Sequence, residues 1–173
     1  GGNVSNAWFT LSYDEWDYLL RDRTNAEEKQ GVACVNGING LVLLPDDWTL
    51  PSGVHFTSGF ASNDGYEYYK TVNTYTASEW TLMEEAGAVF LPAADDRDGT
   101  SMNNVGTNGY YWSSTSFSSN YNYACYVDFY SGNLFPSDGD YRGYGCSVRL
   151  CSEYLSNHVY DAVNLNPLSN HVY

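Results

Sequence analysis

The sequence predicts a single domain of the α+β class, because its helical and strand-forming segments occupy different parts of the chain. Two segments with helical spacing of apolar residues precede residue 90, and short strand signals alternate with Ser, Asn, Gly and Asp turns from Asn108 onward. A wound parallel sheet would instead alternate helices with strands along the whole chain. The 173 residues also correspond to one domain, since domains usually span about 100 to 200 residues.

The first predicted helix begins at a capping box. In the segment 12–15 the hydroxyl of Ser12 can accept a hydrogen bond from the amide of Glu15. A strand is predicted just before it, over 8–11, and the helix is expected to end near Arg23. Its apolar residues recur at spacings of three and four: Tyr13, Trp16, Leu19 and Leu20.

The second predicted helix begins at another capping box, over 76–79, and ends at Gly87. Apolar runs that stop at a proline predict buried strands over 40–44 and 88–91, whereas residues 46–75 are expected to form an irregular loop region. Further short strands are predicted at two places: 124–130 and 147–150.

The charge of the chain excludes some classes of partner. Seven basic and 21 acidic residues give a formal net charge of -14. Nucleic acid and anionic membrane surfaces are therefore disfavoured, because both attract Lys and Arg. Membrane insertion is not expected either, since no apolar run approaches the roughly 18 residues of a membrane span. Neutral or basic targets should be preferred.

The segment 113–146 has the composition of a recognition surface. It contains six Tyr and several Asn, Asp, Ser and Gly, but no Lys, Glu, Gln, Met, Trp, His or Ile. Tyr gives a large, rigid contact area at low entropic cost, while Ser, Gly and Asn adapt their hydrogen bonds. An ordinary strand surface would use Lys and Glu freely, so this composition favours ligand recognition.

A restricted set of residue types gives this segment a finer pattern. Its apparent scaffold residues are apolar or small: Ala124, Val127, Phe129, Leu134, Pro136, Gly145, Val148 and Leu150. Apart from Arg142 and Arg149, the positions among them hold only Phe, Ser, Asn, Tyr, Cys, Asp or Gly. All seven types can be reached from an asparagine codon by changing only its adenines.

Five motifs in order give the chain a resemblance to a known family. They are Trp8-Phe9-Thr10-Leu11 with Asp14-Glu15-Trp16, Leu43-Leu44-Pro45-Asp46-Asp47-Trp48, Gly87-Ala88-Val89-Phe90-Leu91-Pro92-Ala93-Ala94, Gly109-Tyr110-Tyr111-Trp112-Ser113-Ser114-Thr115 and Ser147-Val148-Arg149-Leu150. Over about residues 7–151 the chain resembles the variable proteins of diversity-generating retroelements, especially those of gut bacteria and their phages.

The resemblance implies a C-type lectin-like fold of the formylglycine-generating-enzyme type, with two helices, a twisted antiparallel sheet and long irregular loops. Adenine-directed mutagenesis rewrites the C-terminal part of such proteins, and they bind targets rather than catalyse. It further implies no cofactor, a protein or glycan receptor as partner, and display at a virion tail tip or bacterial surface. A trimer is expected if the protein is associated with a tail.

The resemblance also implies which positions are variable and ligand-facing. These are Phe117, Ser119, Asn120, Tyr121, Tyr123, Cys125, Tyr126, Asp128, Tyr130, Asn133, Phe135, Asp138, Gly139, Asp140, Tyr141, Gly143, Tyr144 and Cys146. The scaffold positions are Trp112, Val127, Phe129, Pro136, Arg142, Gly145 and Arg149. Strand alternation independently predicts that Tyr126, Asp128 and Tyr130 share one face, opposite the face of Val127 and Phe129.

We expect residues 1–151 to form the domain and residues 152–173 to be a C-terminal extension. The extension repeats one six-residue sequence, at 155–160 and 168–173, from which we infer no function. The four cysteines, Cys34, Cys125, Cys146 and Cys151, could form two bridges or remain reduced.

Two alternative functions depend on particular residues. A formylglycine-generating oxidase would use two cysteines five positions apart, a spacing that Cys146 and Cys151 share, although Cys146 occupies a variable position. A calcium-dependent sugar-binding lectin would need ligand motifs that the sequence lacks. The run 95–99 only half matches a calcium loop and is better explained as a solvated acidic turn.

Overall fold

The computed structural model describes residues 8–102 and 105–152, and these residues form an α+β domain. Its helical segments are α1 (Tyr13–Asp17), a π-helical turn that continues it (Tyr18–Asp22), two 3-10 helices (Ala26–Lys29 and Tyr66–Thr71) and α2 (Ala77–Glu85). The strands are β1 (Trp8–Phe9), β2 (Gln30–Val35), β3 (Ile38–Leu43), β4 (Thr74–Tyr75), β5 (Val89–Pro92), β6 (Arg97–Asp98), β7 (Ser101–Met102), β8 (Asn108–Ser116), β9 (Tyr123–Tyr130), β10 (Asn133–Tyr141) and β11 (Cys151–Ser152).

Both predicted capping boxes are present and begin the helices. The Glu15 amide donates to the Ser12 hydroxyl at 3.3 Å, and the Ser12 amide donates to the Glu15 carboxylate at 2.7 Å. Thr76 and Glu79 repeat this arrangement with the same two distances. The first helical segment ends at Asp22 and the second is followed by Gly87 at φ +95°, so the predicted helix limits are confirmed.

A four-stranded sheet in the order β4-β2-β3-β5 forms the centre of the domain. An Asn36-Gly37 turn joins β2 to β3, with both residues at positive φ as a two-residue hairpin requires. Alternate residues of β2 enter different cores: Val32 packs with Trp16 of α1, whereas Ala33 belongs to the core of α2. Both faces of this sheet are therefore buried.

A three-stranded antiparallel sheet in the order β10-β9-β8 covers the first of these cores. Its inner face contributes Tyr111, Val127 and Phe129, which pack with Trp16 and with apolar residues of β3 and β5. The hydroxyl of Tyr111 donates to the Pro92 carbonyl at 2.8 Å. This contact fixes the second sheet against β5, so that its other face points away from the core.

Three expectations need correction. The structure has two main sheets and two two-stranded ones rather than a single sheet, and β4 pairs with β2 in parallel. The strand predicted over 40–44 corresponds to β3, which begins two residues earlier and ends one residue earlier, at Leu43. No strand forms over 147–150, where Val148 and Leu150 are about half exposed and only Ser147 makes a bridge. Strand-forming residue types without a buried face or a continuous partner do not form a strand there.

The region 46–75 is mainly irregular, as predicted, but it contains the second 3-10 helix and β4. Within the described residues no helix is both long and apolar enough to span a membrane. Both copies of the repeated six-residue sequence lie outside the described residues.

Candidate ligand-binding surface

The outer face of the three-stranded sheet carries three of the residues that alternation assigns to it. Val127 and Phe129 are fully buried in the core. Tyr126, Asp128 and Tyr130 alternate with these two residues along β9 and therefore point to the other side, which confirms the predicted alternation. From Cys125 to Tyr130, residue types on β9 thus separate into an inner row of Cys125, Val127 and Phe129 and a polar, aromatic outer row.

Neighbouring strands extend this outer row in register. Asp128 lies opposite Tyr110 of β8 and opposite Phe135 of β10. The next outer residue, Tyr126, lies opposite Asp138 because β10 has one extra residue between Phe135 and Asp138. This bulge keeps Phe135 and Asp138 on the same face despite their odd spacing.

The structure gives the predicted ligand-facing positions three degrees of burial. The exposed ones are Ser119, Asn120, Tyr121, Asn133, Phe135, Asp138, Tyr141 and Gly143. The half-buried ones are Phe117, Tyr123, Asp128, Tyr130, Gly139, Asp140, Tyr144 and Cys146. The buried ones are Cys125 and Tyr126.

Cys125 requires a correction to the predicted set. Its side chain is only 6 % exposed, and it lies on the same side of β9 as Val127 and Phe129. Strand alternation thus turns it inward, so it does not belong to the ligand-facing surface. Tyr126 is also buried, but on the outer side, where its ring contacts those of Tyr110 and Trp112 at 5.6 and 5.9 Å between centroids.

Aromatic rings form a continuous row at one end of the sheet. Phe117 contacts Tyr123 at 6.0 Å, Tyr123 contacts Tyr141 at 4.5 Å, and Tyr141 contacts Tyr144 at 6.1 Å between ring centroids. Tyr121 in the adjacent turn is 90 % exposed. All five of these residues are predicted variable positions, and they come from both ends of the segment 117–144. The fold therefore assembles an aromatic surface that no short segment displays.

A cleft of about 240 Å³ begins where this aromatic row ends, and we call it the acidic cleft. Its lining residues are Asp96, Asp98, Tyr110, Tyr126, Asp140, Tyr144 and Cys146. Four of them are predicted variable positions. The other three are Asp96, Asp98 and Tyr110, which sequence reasoning did not assign to the ligand-facing set.

Two backbone hydrogen bonds hold Arg97, which lies between Asp96 and Asp98, against Gly145 of the predicted variable segment. The amide of Gly145 donates to the Arg97 carbonyl at 2.8 Å, and the Arg97 amide donates to the Gly145 carbonyl at 3.2 Å. A Cβ atom at Gly145 would lie 3.1 Å from the Arg97 Cβ. Glycine thus permits the close approach that brings Asp96 and Asp98 into the cleft. The predicted scaffold role of Gly145 was the nearest sequence signal of this contact.

The acidic cleft has a negative electrostatic potential. Burial, with Asp96 and Asp140 nearby, raises the pKa of the Cys146 thiol to about 12. Burial and Asp95 raise the pKa of Asp96, and burial with surrounding aspartates raises the pKa of Tyr126. Each shift opposes the addition of negative charge to the cleft. At neutral pH Cys146 is therefore a thiol and not a nucleophilic thiolate.

The carboxyl group of Asp128, on the outer face of the sheet, also has a raised pKa. Burial and the charge of Asp138 raise its pKa to about 7. Its Oδ1 atom exposes less than 1 Å² and has no hydrogen-bond partner. A carboxylate in this position is poorly solvated, and it lies beside Tyr110 of the acidic cleft in the strand register.

The four cysteines differ in their surroundings. All four cysteines are free thiols, and Cys151 is buried in the core whereas Cys146 lines the acidic cleft. Across residues 8–102 and 105–152, no group of three or more His, Cys, Asp or Glu side chains is placed to hold a metal ion.

A larger groove of about 700 Å³ lies at the other end of β10. Its walls include Leu20 and Arg21 of the π-helical turn, Phe60, and the predicted variable residues Asn133 and Phe135. The groove thus combines residues of the first helical segment with residues of the β9–β10 hairpin.

Comparison with known proteins gives one match. Residues 67–151 match a family model described as a domain of unknown function, DUF8237. No curated protein and no solved structure matches the chain. The matched region contains β8, β9 and β10 together with the residues of the acidic cleft, so the chain is similar to that family over the part that forms the candidate surface.

Proposed function

We propose that this protein is a diversified ligand-binding protein with a C-type lectin-like fold, which displays a variable surface for recognising a receptor or target. The observation that carries the proposal is the division of β8–β10 into two faces. The inner face holds the apolar residues Tyr111, Val127 and Phe129, whereas most predicted variable residues are exposed or half-buried. Such a division allows the outer residues to change while the core stays constant.

The binding mechanism is preorganisation. The aromatic rings from Phe117 to Tyr144 are already packed against one another, so little side-chain freedom is lost when a ligand binds. Tyrosine rings supply contact area and anchor residues, and the neighbouring Ser, Asn and Asp side chains supply adaptable hydrogen bonds.

The partner in this proposal is a protein or glycan receptor, and the place of display is a phage tail tip or a bacterial surface. Both come from the sequence resemblance. The net charge of -14 supports a neutral or basic target, because an acidic one would be repelled during approach.

We further propose that the protein is not an enzyme. The oxidase alternative needs a reactive cysteine, but the pKa of the Cys146 thiol is raised to about 12. Its intended partner, Cys151, is packed with Phe9 and Trp16 in the core. These environments favour two inert thiols rather than a redox pair.

Sequencing of the gene in many individuals of a growing population tests the proposed function. Adenine-linked substitutions should concentrate at the codons of the predicted variable positions, while the codons of Val127, Phe129 and Gly145 stay constant. The gene segment that encodes β2 and β3 gives the background frequency as a matched control. Variation at the variable codons no greater than this background would contradict the proposal.

A further inference from the structure

The acidic cleft combines aromatic walls with carboxylates in one cavity. The rings of Tyr110, Tyr126 and Tyr144 line it together with Asp96 and Asp140. Aromatic faces attract a cation within about 6 Å of the ring centre, and carboxylates add charge attraction and hydrogen-bond acceptors. The aromatic walls distinguish this cavity from a simple group of surface acids, which water and salt would screen.

The carboxylates of this cleft have no internal counter-ion. Asp96, Asp98 and Asp140 form no ion pair with any described residue. Arg97, which lies between Asp96 and Asp98 in the chain, donates its Nε to the Gly99 carbonyl at 2.8 Å, and Arg142 donates its Nε to the Tyr123 carbonyl at 2.8 Å. The negative charge of the cleft is therefore available to a ligand.

A carboxylate oxygen without a hydrogen-bond partner lies on the sheet face that adjoins the cleft. Asp128 lies opposite Tyr110 in the strand register, and its Oδ1 atom is inaccessible and without a hydrogen-bond partner. Folding a polar oxygen into such a site costs free energy unless a donor or a positive charge approaches it. The rings of Tyr110 and Tyr126 are in direct contact, so a cation in the cleft would lie beside this pair and not between the two rings. It would still bring positive charge toward Asp128, whose charge acts on both tyrosines.

We infer that the acidic cleft binds the cationic end of a lysine or arginine side chain presented by a protein partner. The inference rests on the proposed function only in taking the outer face of the β8–β10 sheet as the binding face. Size supports this ligand, since about 240 Å³ is less than the roughly 300 to 1,000 Å³ of pockets for whole small molecules. The end of one side chain fits such a volume.

Titration of the full chain with small probes, followed by NMR of labelled tyrosine rings, tests the inference. The probes are n-butylammonium and ethylguanidinium chloride, with n-butanol as the neutral control, in about 150 mM salt so that long-range attraction is screened. Both cations should shift the ring signals of Tyr110, Tyr126 and Tyr144, assigned by Tyr→Phe variants. Butanol should leave these signals unchanged at the same concentrations.

A matched pair of variants separates the cleft from general electrostatics. The double variant Asp96→Asn/Asp140→Asn should weaken butylammonium binding about tenfold, a change of the size expected for losing one charge-assisted contact. The control Asp22→Asn/Asp47→Asn changes the net charge equally at exposed sites away from the cleft and should weaken binding less than about twofold. The single variant Asp98→Asn, at an exposed strand residue, gives a second measurement if the double variant fails to fold.

Several results would overturn the inference. These are equal weakening in both double variants, equal binding of butanol, and ring shifts with calcium chloride but not with the organic cations, which would make the cleft a metal site. Population sequencing is independent of these probes. Cation binding without codon variation would contradict the proposed function but not this inference. Codon variation without cation binding would contradict this inference but not the proposed function.

Discussion

The two main sheets of this protein differ in how many of their faces are buried. All six residues of β2 in the four-stranded sheet are buried, because cores lie on both sides of it. In the three-stranded sheet only the inner residues, such as Val127 and Phe129, are fully buried. A sheet that holds the fold with one face leaves the other face free to change. The predicted variable residues on that outer face are Tyr126, Asp128, Tyr130, Phe135 and Asp138.

The largest expected effect separates the inner and outer faces of β9. Replacing Phe129 by Ala should lower the free energy of unfolding by about 3 to 5 kcal/mol, because it leaves a large cavity in the core. Replacing the adjacent Tyr130 by Ala should lower the free energy of unfolding by less than about 1 kcal/mol, since its ring is half-buried on the outer side. Urea unfolding of both variants measures the difference, and equal losses would contradict the division into two faces.

A second comparison uses one glycine from each sheet. A Cβ atom at Gly40 would collide with the Leu91 carbonyl and the Phe90 ring, whereas one at Gly139 would meet the ring of Phe117. The Gly40→Ala substitution should lower the free energy of unfolding by about 1 to 3 kcal/mol, since the Leu91 backbone cannot move aside. The Gly139→Ala substitution should lower it less, because the half-buried Phe117 ring can rotate. Thermal unfolding that gives Gly139→Ala the larger loss would overturn this prediction.

The third prediction concerns the pH dependence of Asp128. Its folded pKa of about 7 exceeds the unfolded value of about 3.9, so the folded state binds the proton more tightly. Stability from this group is present at low pH and is lost as the pH rises from about 4 to about 7.

Asp128→Asn should therefore raise the free energy of unfolding at pH 8, and by about one third as much at pH 5, where part of the stability from the protonated group is already lost. The gain at pH 8 should be about 1 to 2 kcal/mol, after a reduction for screening by solvent. Urea unfolding at both pH values measures it, with Asp47→Asn as an exposed control. The same gain at pH 5 and pH 8 would show that Asp128 does not titrate in this range.

The smallest expected effect belongs to the exposed turn before β9. The variants Asn120→Tyr and Tyr121→Ser should each change the free energy of unfolding by less than about 0.5 kcal/mol, because both residues are exposed. Differential scanning calorimetry is a suitable measurement. A loss above about 1 kcal/mol would mean that this turn contributes to the fold as well as to the surface.

Features that depend on neighbouring residues could be predicted from the sequence. Each capping box depends on a residue pair three positions apart, Ser12 with Glu15 or Thr76 with Glu79, and both helices begin there. The alternation around Val127 depends on a spacing of two. These patterns report local geometry directly.

Features that depend on distant contacts could not be predicted in the same way. Asp96 and Asp98 enter the acidic cleft because Arg97 pairs with Gly145, which lies 48 positions later in the chain. Cys125 has a residue type expected at variable positions, but the strand register turns it inward. The same limit applies to 147–150, where strand-forming residues lack a continuous partner.

A saturation scan of residues 109–151 for folding is the measurement that tests the central claim most directly. The folded fraction of each variant can be read from protease resistance on a display system. The exposed predicted positions should accept nearly all of Phe, Ser, Asn, Tyr, Cys, Asp and Gly, whereas Tyr111, Val127 and Phe129 should reject the polar types among them. Exposed positions as intolerant as these three would contradict the claim that a constant core supports an exchangeable surface.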